Sequence, residues 1–223
     1  MNFETYQDRE ALMMRLADTI ASELGQALRT KGKAVLCVPG GTTPGPVFDL
    51  LSEVDLDWGS VYVMLNDERW VNEESERSNT ALLRRRLLRG KARSAHLVPL
   101  YAEAETPEEQ LDALSEGIAP HLPIDVLLLG MGADMHTASL FPGADLLEEA
   151  LADDAPVLMA LRAEAAGEPR ITLTARVLKD AMHTHILIIG PQKREALDRA
   201  KSLSPTEAPV AAILPHATVH WAE

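Results

Sequence analysis

The sequence feature that most constrains the fold is a short apolar run, Val126 to Leu129, in which polar and apolar residues do not alternate. Such a run is typical of a strand that is buried on both faces, as in a parallel sheet covered by helices. Gly130 and Gly132 follow at once and allow the backbone to turn tightly, and Asp134 and His136 come next. Because open parallel sheets bind ligands beyond the carboxyl ends of their strands, this turn is predicted to belong to a functional site.

Strands and helices alternate along the rest of the chain. Apolar runs predict strands at 34–39, 61–65, 157–161, 185–189, 210–214 and 218–221. Helical spacing and end signals predict helices over 8–31, 44–51, 79–88, 107–119 and 174–181, and from Gln192 onward. This alternation predicts an α/β fold in a single domain of residues 1–223, with a Rossmann-like, open, mostly parallel sheet and helices on both faces.

Composition limits the partners and the compartment. A net charge of −13 argues against a nucleic-acid or anionic membrane surface as partner. The single cysteine, Cys37, lies within an apolar run and is expected to be buried, which suits a reducing compartment. No basic and apolar leader and no stretch of ~20 apolar residues is present, so neither a signal peptide nor a membrane span is predicted. A cytoplasmic location is therefore expected.

A glycine-rich loop, Gly40-Gly-Thr-Thr-Pro44, follows the first long predicted strand. Thr43 is expected to be the N-cap of the next helix and Pro44 to lie in its first turn. The unpaired N–H groups and the dipole of a helix N-terminus favour an anion at such a loop. The loop matches neither a GxGxxG fingerprint nor a Walker motif, so dinucleotides and ATP are poorly supported. An ordinary strand-to-helix turn is the alternative interpretation.

Each clear predicted strand is followed by a polar turn, and these turns are predicted to meet at the carboxyl edge of the sheet and to share one cleft. The four turns are at Gly40–Thr43, Asp67–Arg69, Asp134–His136 and Lys193. No nucleophile elbow, HExxH motif or Cys/His metal cluster is present, so no metal is expected. The chemistry that fits is proton transfer on a phosphorylated small molecule. The candidate residues are carboxylates at Asp67 and Asp134, the imidazole of His136, and cations at Arg69, Arg77, Arg170 and Lys193.

Several motifs, taken together and in order, resemble those of the 6-phosphogluconolactonases and span about residues 38–221. The resemblance implies hydrolysis of 6-phospho-D-glucono-1,5-lactone to 6-phosphogluconate, the second step of the pentose phosphate pathway, with no cofactor. The motifs are Gly40–Pro44, Asn66–Arg69 with Arg77–Asn79, Gly130–Gly143, Arg170–Thr174 and Gly190–Lys193.

The resemblance also implies roles for individual residues. His136 would be the general base, assisted by Asp134, Asp67 and Arg77. Arg69 would contribute to substrate binding. The residues expected to hold the phosphate are Gly40, Gly41, Thr42, Thr43, Arg170 and Lys193.

Two residues depart from the pattern of this family. Thr42 stands where serine is usual and keeps the hydroxyl group. Met135 stands where glycine is usual, between the aspartate and the histidine of the catalytic turn. A left-handed backbone at this position would cost methionine roughly 1–2 kcal/mol, which a domain of ordinary stability can absorb. We therefore expect an active enzyme.

Two alternatives remain open. A glucosamine-6-phosphate deaminase/isomerase-type enzyme shares the glycine loop and the Asp-x-His pair, but typically carries a glutamate shortly after the histidine. The corresponding stretch here, Ser139–Gly143, has no carboxylate. A non-enzymatic sugar-phosphate-sensing domain would normally accompany a DNA-binding module, and no basic helix-turn-helix segment is found in this sequence.

Overall fold

The computed structural model describes residues 1–223. Its strands, in chain order, are β1 Asn2–Thr5, β2 Ala34–Val38, β3 Val61–Leu65, β4 Asp67–Arg69, β5 His96–Val98, β6 Val126–Gly130, β7 Leu158–Leu161, β8 Arg170–Leu173, β9 His183–Ile189 and β10 Thr218–Ala222. Its α-helices are α1 Arg9–Lys31, α2 Gly45–Ser52, α3 Asn79–Arg86, α4 Leu111–Ile118, α5 Leu147–Leu151, α6 Ala175–Lys179 and α7 Pro191–Ala200. None of the helices has the length and apolar character needed to cross a membrane.

Seven strands form the main sheet in the order β1-β10-β9-β6-β2-β3-β5. Every neighbouring pair is parallel, which confirms the predicted open, mostly parallel sheet. All residues of β2 and all but the last of β6 are buried. Both faces of the central strands are therefore covered, as their uniformly apolar sequences predicted. Cys37 of β2 is fully buried, as expected.

Helix α1 follows the prediction at both ends. The Asp8 carboxylate accepts a hydrogen bond from the N–H of Ala11 at 2.8 Å, and Gly32 ends the helix at φ 72°. Leu16 and Ile20, one turn apart, are fully buried. The acidic N-cap and the left-handed glycine are the expected end signals of a helix, and the apolar stripe between them packs on the core.

A second, three-stranded sheet was not predicted. Its strand order is β4-β8-β7, and both pairs are antiparallel. Asp67 pairs with Thr172 and Arg69 with Arg170, so residues that are far apart in the sequence face one another. The sheet begins directly after Asn66, where the chain leaves the main sheet. It therefore adds a polar wall beside the carboxyl edge of the main sheet.

Two predictions of secondary structure are wrong. Residues 210–214 form no strand, because 3-10 turns occupy Pro209–Ala212 and Leu214–His216. Each turn has a proline near its start, and proline provides no N–H to a sheet ladder. Thr43 does not cap α2: the N-cap position is Pro44, and no side chain accepts a hydrogen bond there.

A chain of polar side chains runs from Tyr6, directly after β1, through His220 of β10 and His185 of β9 to Glu23 of α1, and its two histidines are buried. The Tyr6 hydroxyl lies 2.7 Å from Nδ1 of His220, and Nε2 of His220 lies 3.0 Å from Nδ1 of His185. Nε2 of His185 is 2.8 Å from the carboxylate of Glu23. Burial, together with repulsion from His185, lowers the pKa of His220 to about 4. His220 is therefore neutral at neutral pH.

Candidate active site

One cavity of about 350 Å³ lies where the turns after β2, β6 and β9 meet the second sheet. This is the position at which open α/β sheets bind ligands. Eight of the residues selected from the sequence line the cavity, whereas Thr42, Asp134 and Arg77 do not. The eight are Gly40, Gly41, Thr43, Asp67, Arg69, His136, Arg170 and Lys193.

His136 and Asp134 form a hydrogen-bonded pair beside the cavity. Nδ1 of His136 lies 2.6 Å from Oδ1 of Asp134, and the backbone N–H of His136 donates to the same oxygen at 3.2 Å. Burial would raise the pKa of Asp134, but the hydrogen bonds and the charge of His136 outweigh it and lower that pKa. The ionised carboxylate therefore favours the tautomer with hydrogen on Nδ1, which leaves the lone pair of Nε2 free to accept a proton.

Gly132 makes the close approach of this pair possible. A Cβ atom at Gly132 would lie 2.1 Å from Nδ1 of His136 and 2.2 Å from Oδ1 of Asp134. The N–H of Gly132 donates to the carbonyl of His136 at 2.9 Å, and its own carbonyl accepts from the N–H of Met135 at 3.0 Å. From the sequence, Gly132 was interpreted only as a turn residue. The structure shows that His136 and Asp134 can lie this close to residue 132 only because glycine has no side chain.

Met135 has the left-handed backbone that favours glycine, with φ 67°. Ala138 is the other non-glycine residue in this conformation, with φ 49°. The methionine side chain is half-buried and packs against the core. The carbonyl of Met135 accepts a hydrogen bond from the N–H of Val210 at 3.1 Å, so the segment that was wrongly predicted as a strand supports the turn.

The loop of Gly40, Gly41, Thr42 and Thr43 offers four consecutive N–H groups. None of them donates to another group of the protein. Gly41 has φ 81°, a conformation that favours glycine. The loop leads into α2, whose positive dipole end adds to the attraction for an anion. Thr42 contributes to this row through its backbone, although its side chain does not line the cavity.

Arg170 is the most deeply buried cation of the site, with 8% of its surface exposed. One of its terminal nitrogens lies 3.6 Å from Oδ2 of Asp67, and the other donates to the carbonyl of Ala166 at 3.2 Å. Burial lowers the pKa of Arg170, and the negative charge of Asp67 opposes that shift. Oδ2 of Asp67 also accepts a hydrogen bond from the Ser139 hydroxyl at 2.6 Å. Asp67 is thus held in place by both neighbours.

Two more cations complete the wall of the cavity. Arg69 donates to Oδ1 of Asn79 at 2.8 Å and to the carbonyl of Arg77 at 2.7 Å. Lys193, near the start of α7, donates to the carbonyl of Met131. Burial lowers the pKa of Lys193, while the nearby Asp134 opposes that change. Three positive side chains therefore surround one small cavity.

Arg77 lies outside the cavity and is engaged elsewhere. Its guanidinium donates two hydrogen bonds to Glu168, at 2.5 and 2.7 Å, and 60% of its side chain is exposed. These bonds lower the pKa of Glu168 to about 2. The pair joins the loop before α3 to the loop before β8, so the contact observed for Arg77 is between loops and not with His136.

Several residues that the sequence did not single out also build the site. Asn79 is buried, donates to the carbonyl of Asp67 at 3.2 Å, and lies so close to Gly40 that a Cβ there would be 2.0 Å from its Oδ1. Asn66 donates to the carbonyl of Leu128 at 3.1 Å, across the end of β2. In the sequence, Asn66 and Asn79 were indicated only by their position beside charged residues of the same motifs.

Comparison with known proteins agrees with this geometry. A sequence profile of the family described as glucosamine-6-phosphate isomerases/6-phosphogluconolactonase matches residues 7–221. The chain belongs to this family. The resemblance drawn from its motifs is thereby confirmed.

The similarity to family members covers almost the whole chain. A 6-phosphogluconolactonase of Rhizobium meliloti (strain 1021) is 42% identical, over 99% of this chain and 98% of the relative. A 6-phosphogluconolactonase of Pseudomonas aeruginosa is 40% identical, over 92% and 88%. The crystal structure of a 6-phosphogluconolactonase from Shewanella baltica OS155 superimposes with a TM-score of 0.96 at 34% identity, covering 100% of this chain and 98% of the other.

Proposed function

We propose that the protein hydrolyses 6-phospho-D-glucono-1,5-lactone to 6-phosphogluconate, the second step of the pentose phosphate pathway. The observation that carries the proposal is the His136–Asp134 pair at 2.6 Å beside a cavity with three cations. The names of the relatives support the same reaction. A base at one side and a cluster of positive charge at the other suit a substrate that has both a reactive carbonyl and a phosphate.

In this mechanism His136 acts as the general base. Its Nε2 takes a proton from a water molecule, and the oxygen of that water forms a bond to the lactone carbonyl carbon. The tetrahedral intermediate then breaks the bond to the ring oxygen, which receives a proton from the imidazolium and becomes the hydroxyl of the product. Asp134 stabilises the imidazolium between the two steps. General-base assistance of this kind contributes typically ~10²–10⁴-fold.

The phosphate is assigned to the other side of the cavity. The four free N–H groups of Gly40–Thr43, together with Arg170 and Lys193, provide charged and neutral donors of the kind that phosphate accepts. Arg69 lines the same cavity. Binding energy gained at the phosphate fixes the position of the lactone carbon, which lies away from it in the substrate. Arg77 is assigned to holding the loops around the cavity through Glu168.

The decisive experiment is a dehydrogenase-coupled assay on freshly prepared lactone, with EDTA present and with spontaneous hydrolysis subtracted. The wild type should accelerate hydrolysis, and His136→Asn, which keeps a side chain of similar shape, should lower kcat/KM at least ~10²-fold. Glucosamine-6-phosphate is the comparison substrate. Release of ammonia from that compound without lactone turnover would favour the deaminase alternative and overturn the proposal.

We place the reaction in the cytoplasm and assign no nucleic-acid partner. The single cysteine, Cys37, is buried within β2 and has no disulfide partner, which suits a reducing compartment. The net charge of −13 opposes binding to nucleic acid.

A further inference from the structure

Phe141 lies against both His136 and Arg170 in the cavity. Its ring stacks on the imidazole of His136, with 4.3 Å between the ring centroids and 30° between the planes. The guanidinium carbon of Arg170 lies 5.4 Å from the centroid of the same phenyl ring. Phe141 lines the cavity and only 5% of its surface is exposed. One aromatic side chain therefore touches the base and the most buried cation.

The hydrogen bond to Asp134 does not by itself fix the plane of His136. It restrains one ring atom, Nδ1, and it is open to competition from water because 43% of the Asp134 side chain is exposed. The ring can tilt about this restrained atom unless something packs on its face. Phe141 provides that contact, and water does not compete for it, since the phenyl ring has no hydrogen-bonding group.

Phe141 directly follows a hydrogen-bonded turn, Thr137 to Leu140. The N–H of Leu140 donates to the carbonyl of Thr137 at 3.0 Å. The N–H of Ser139 donates to the hydroxyl of Thr172 in β8 at 3.2 Å. Leu140 is fully buried. These contacts attach the turn to β8, the strand that carries Arg170, so the backbone next to Phe141 is held against that strand.

We propose that Phe141 is a positioning residue for the general base: its ring holds the plane of the His136 imidazole and fixes the separation between that base and the Arg170 guanidinium. The inference rests on the lactonase function proposed above. Proton transfer occurs along the in-plane lone pair of Nε2, so a tilt of the ring misdirects the acceptor. The contact with Arg170 keeps the cation against an aromatic face, where its charge is favourably placed.

The test compares variants with and without the aromatic ring. Phe141→Leu removes the ring and keeps an apolar side chain, Phe141→Met is a second variant without the ring, and Phe141→Tyr keeps it. Each is measured for kcat and KM on the phosphorylated lactone and on plain gluconolactone. Both variants that lack the ring should lose about 10–100-fold in kcat on both substrates, the effect of a small misplacement. Phe141→Tyr should stay within about threefold of the wild type.

A second readout does not depend on turnover. In ¹⁵N NMR of histidine-labelled protein, with His136→Asn used for assignment, the wild type should show the His136 ring with hydrogen on Nδ1. Phe141→Leu should show ¹⁵N ring shifts that indicate a changed tautomer population of His136, whereas Phe141→Tyr should not. Thermal unfolding shows that each variant compared is folded.

Three results would overturn the positioning role. They are a wild-type kcat in a folded Phe141→Leu protein, unchanged His136 ring signals in that variant, or an effect confined to KM for the phosphorylated lactone. The last result would mean that Phe141 acts through Arg170 alone. A wild type without lactonase activity would instead refute the proposed function, and the NMR comparison would still test whether Phe141 orients the ring.

Discussion

Replacing Gly132 by alanine should separate His136, the proposed general base, from the Asp134 carboxylate while leaving the fold intact. The added methyl group would lie 2.1 Å from Nδ1 of His136, 2.2 Å from Oδ1 of Asp134 and 2.4 Å from Cε1 of His136. Ordinary van der Waals contact begins near 3.4 Å. The backbone of Gly132 does not have positive φ, so the conflict is one of space and not of backbone strain.

The size of the effect follows from these distances. Relief of the clash requires both the imidazole and the carboxylate to move by about 1 Å or more, and a misplacement of this size can cost ~10²-fold in rate. Loss of an oriented base costs up to ~10⁴-fold. We expect kcat/KM to fall about 10²–10³-fold, which is about 3–4 kcal/mol of transition-state stabilisation. The side chains of His136 and Asp134 are 30% and 43% exposed and can turn toward solvent. The free energy of unfolding should therefore change by less than about 1 kcal/mol.

The assay is the coupled hydrolysis of fresh lactone, together with urea unfolding of the same preparations. The matched control is Gly117→Ala, near the end of α4, where an added Cβ meets nothing within 4 Å. This control should keep wild-type activity and gain up to about 1 kcal/mol of stability, because alanine is the better helix former. A Gly132→Ala enzyme with more than about a third of the wild-type kcat/KM would refute the reasoning. A structure of that variant with the histidine–aspartate pair unmoved would refute it as well.

Three further predictions follow from single residues. Met135→Gly should change kcat/KM by less than about tenfold, since the strain of a left-handed methionine is already absorbed by the fold; a hundredfold gain would show that the methionine impairs the natural turn. Arg170→Ala and Lys193→Ala should each weaken binding of the phosphorylated lactone by about 1.5–3 kcal/mol and affect plain gluconolactone less, and equal losses on both substrates would contradict a phosphate role. Because the pKa of His220 is lowered to about 4 in the fold, the unfolded chain binds a proton at this residue more readily than the folded protein does as pH falls below ~6.5. The free energy of unfolding should therefore fall by roughly 3 kcal/mol between pH ~6.5 and ~4, and urea unfolding of His220→Gln should lack that component of the pH dependence.

The main sheet could be predicted because its central strands are buried on both faces. Apolar runs such as Ala34–Val38 and Val126–Leu129 have no polar residue, and a proline or a glycine follows each of them and marks the turn. The edge strands β1 and β5 lack this signal, because they are short and partly exposed. Val210–Leu214 shows the opposite error: this apolar segment resembled a strand, but Pro209 and Pro215 on either side of it favour 3-10 turns.

Position along the main sheet could account only for those site residues that follow one of its strands. Gly40, Asp134 and His136 were identified because parallel strands bring their carboxyl ends to one edge. The partnership of Arg69 and Arg170 could not be predicted, since it depends on the register of two short antiparallel strands 100 residues apart in the chain. The engagement of Arg77 with Glu168 likewise joins loops 91 residues apart. Sequence spacing carries no information about such contacts.

The distribution of charge shows why an acidic protein can have a site for an anion. The net charge of −13 is spread over the surface, and at physiological ionic strength its field is screened beyond about 8 Å. Inside the cavity, Arg69, Arg170 and Lys193 are partly or largely buried, so their charges are screened much less. Asp67 offsets Arg170 at 3.6 Å, and Asp134 is hydrogen-bonded to His136, so both carboxylates already have partners close to a cavity that three cations line. The composition therefore argues against large polyanions as partners, while the local arrangement of side chains favours a small phosphorylated substrate.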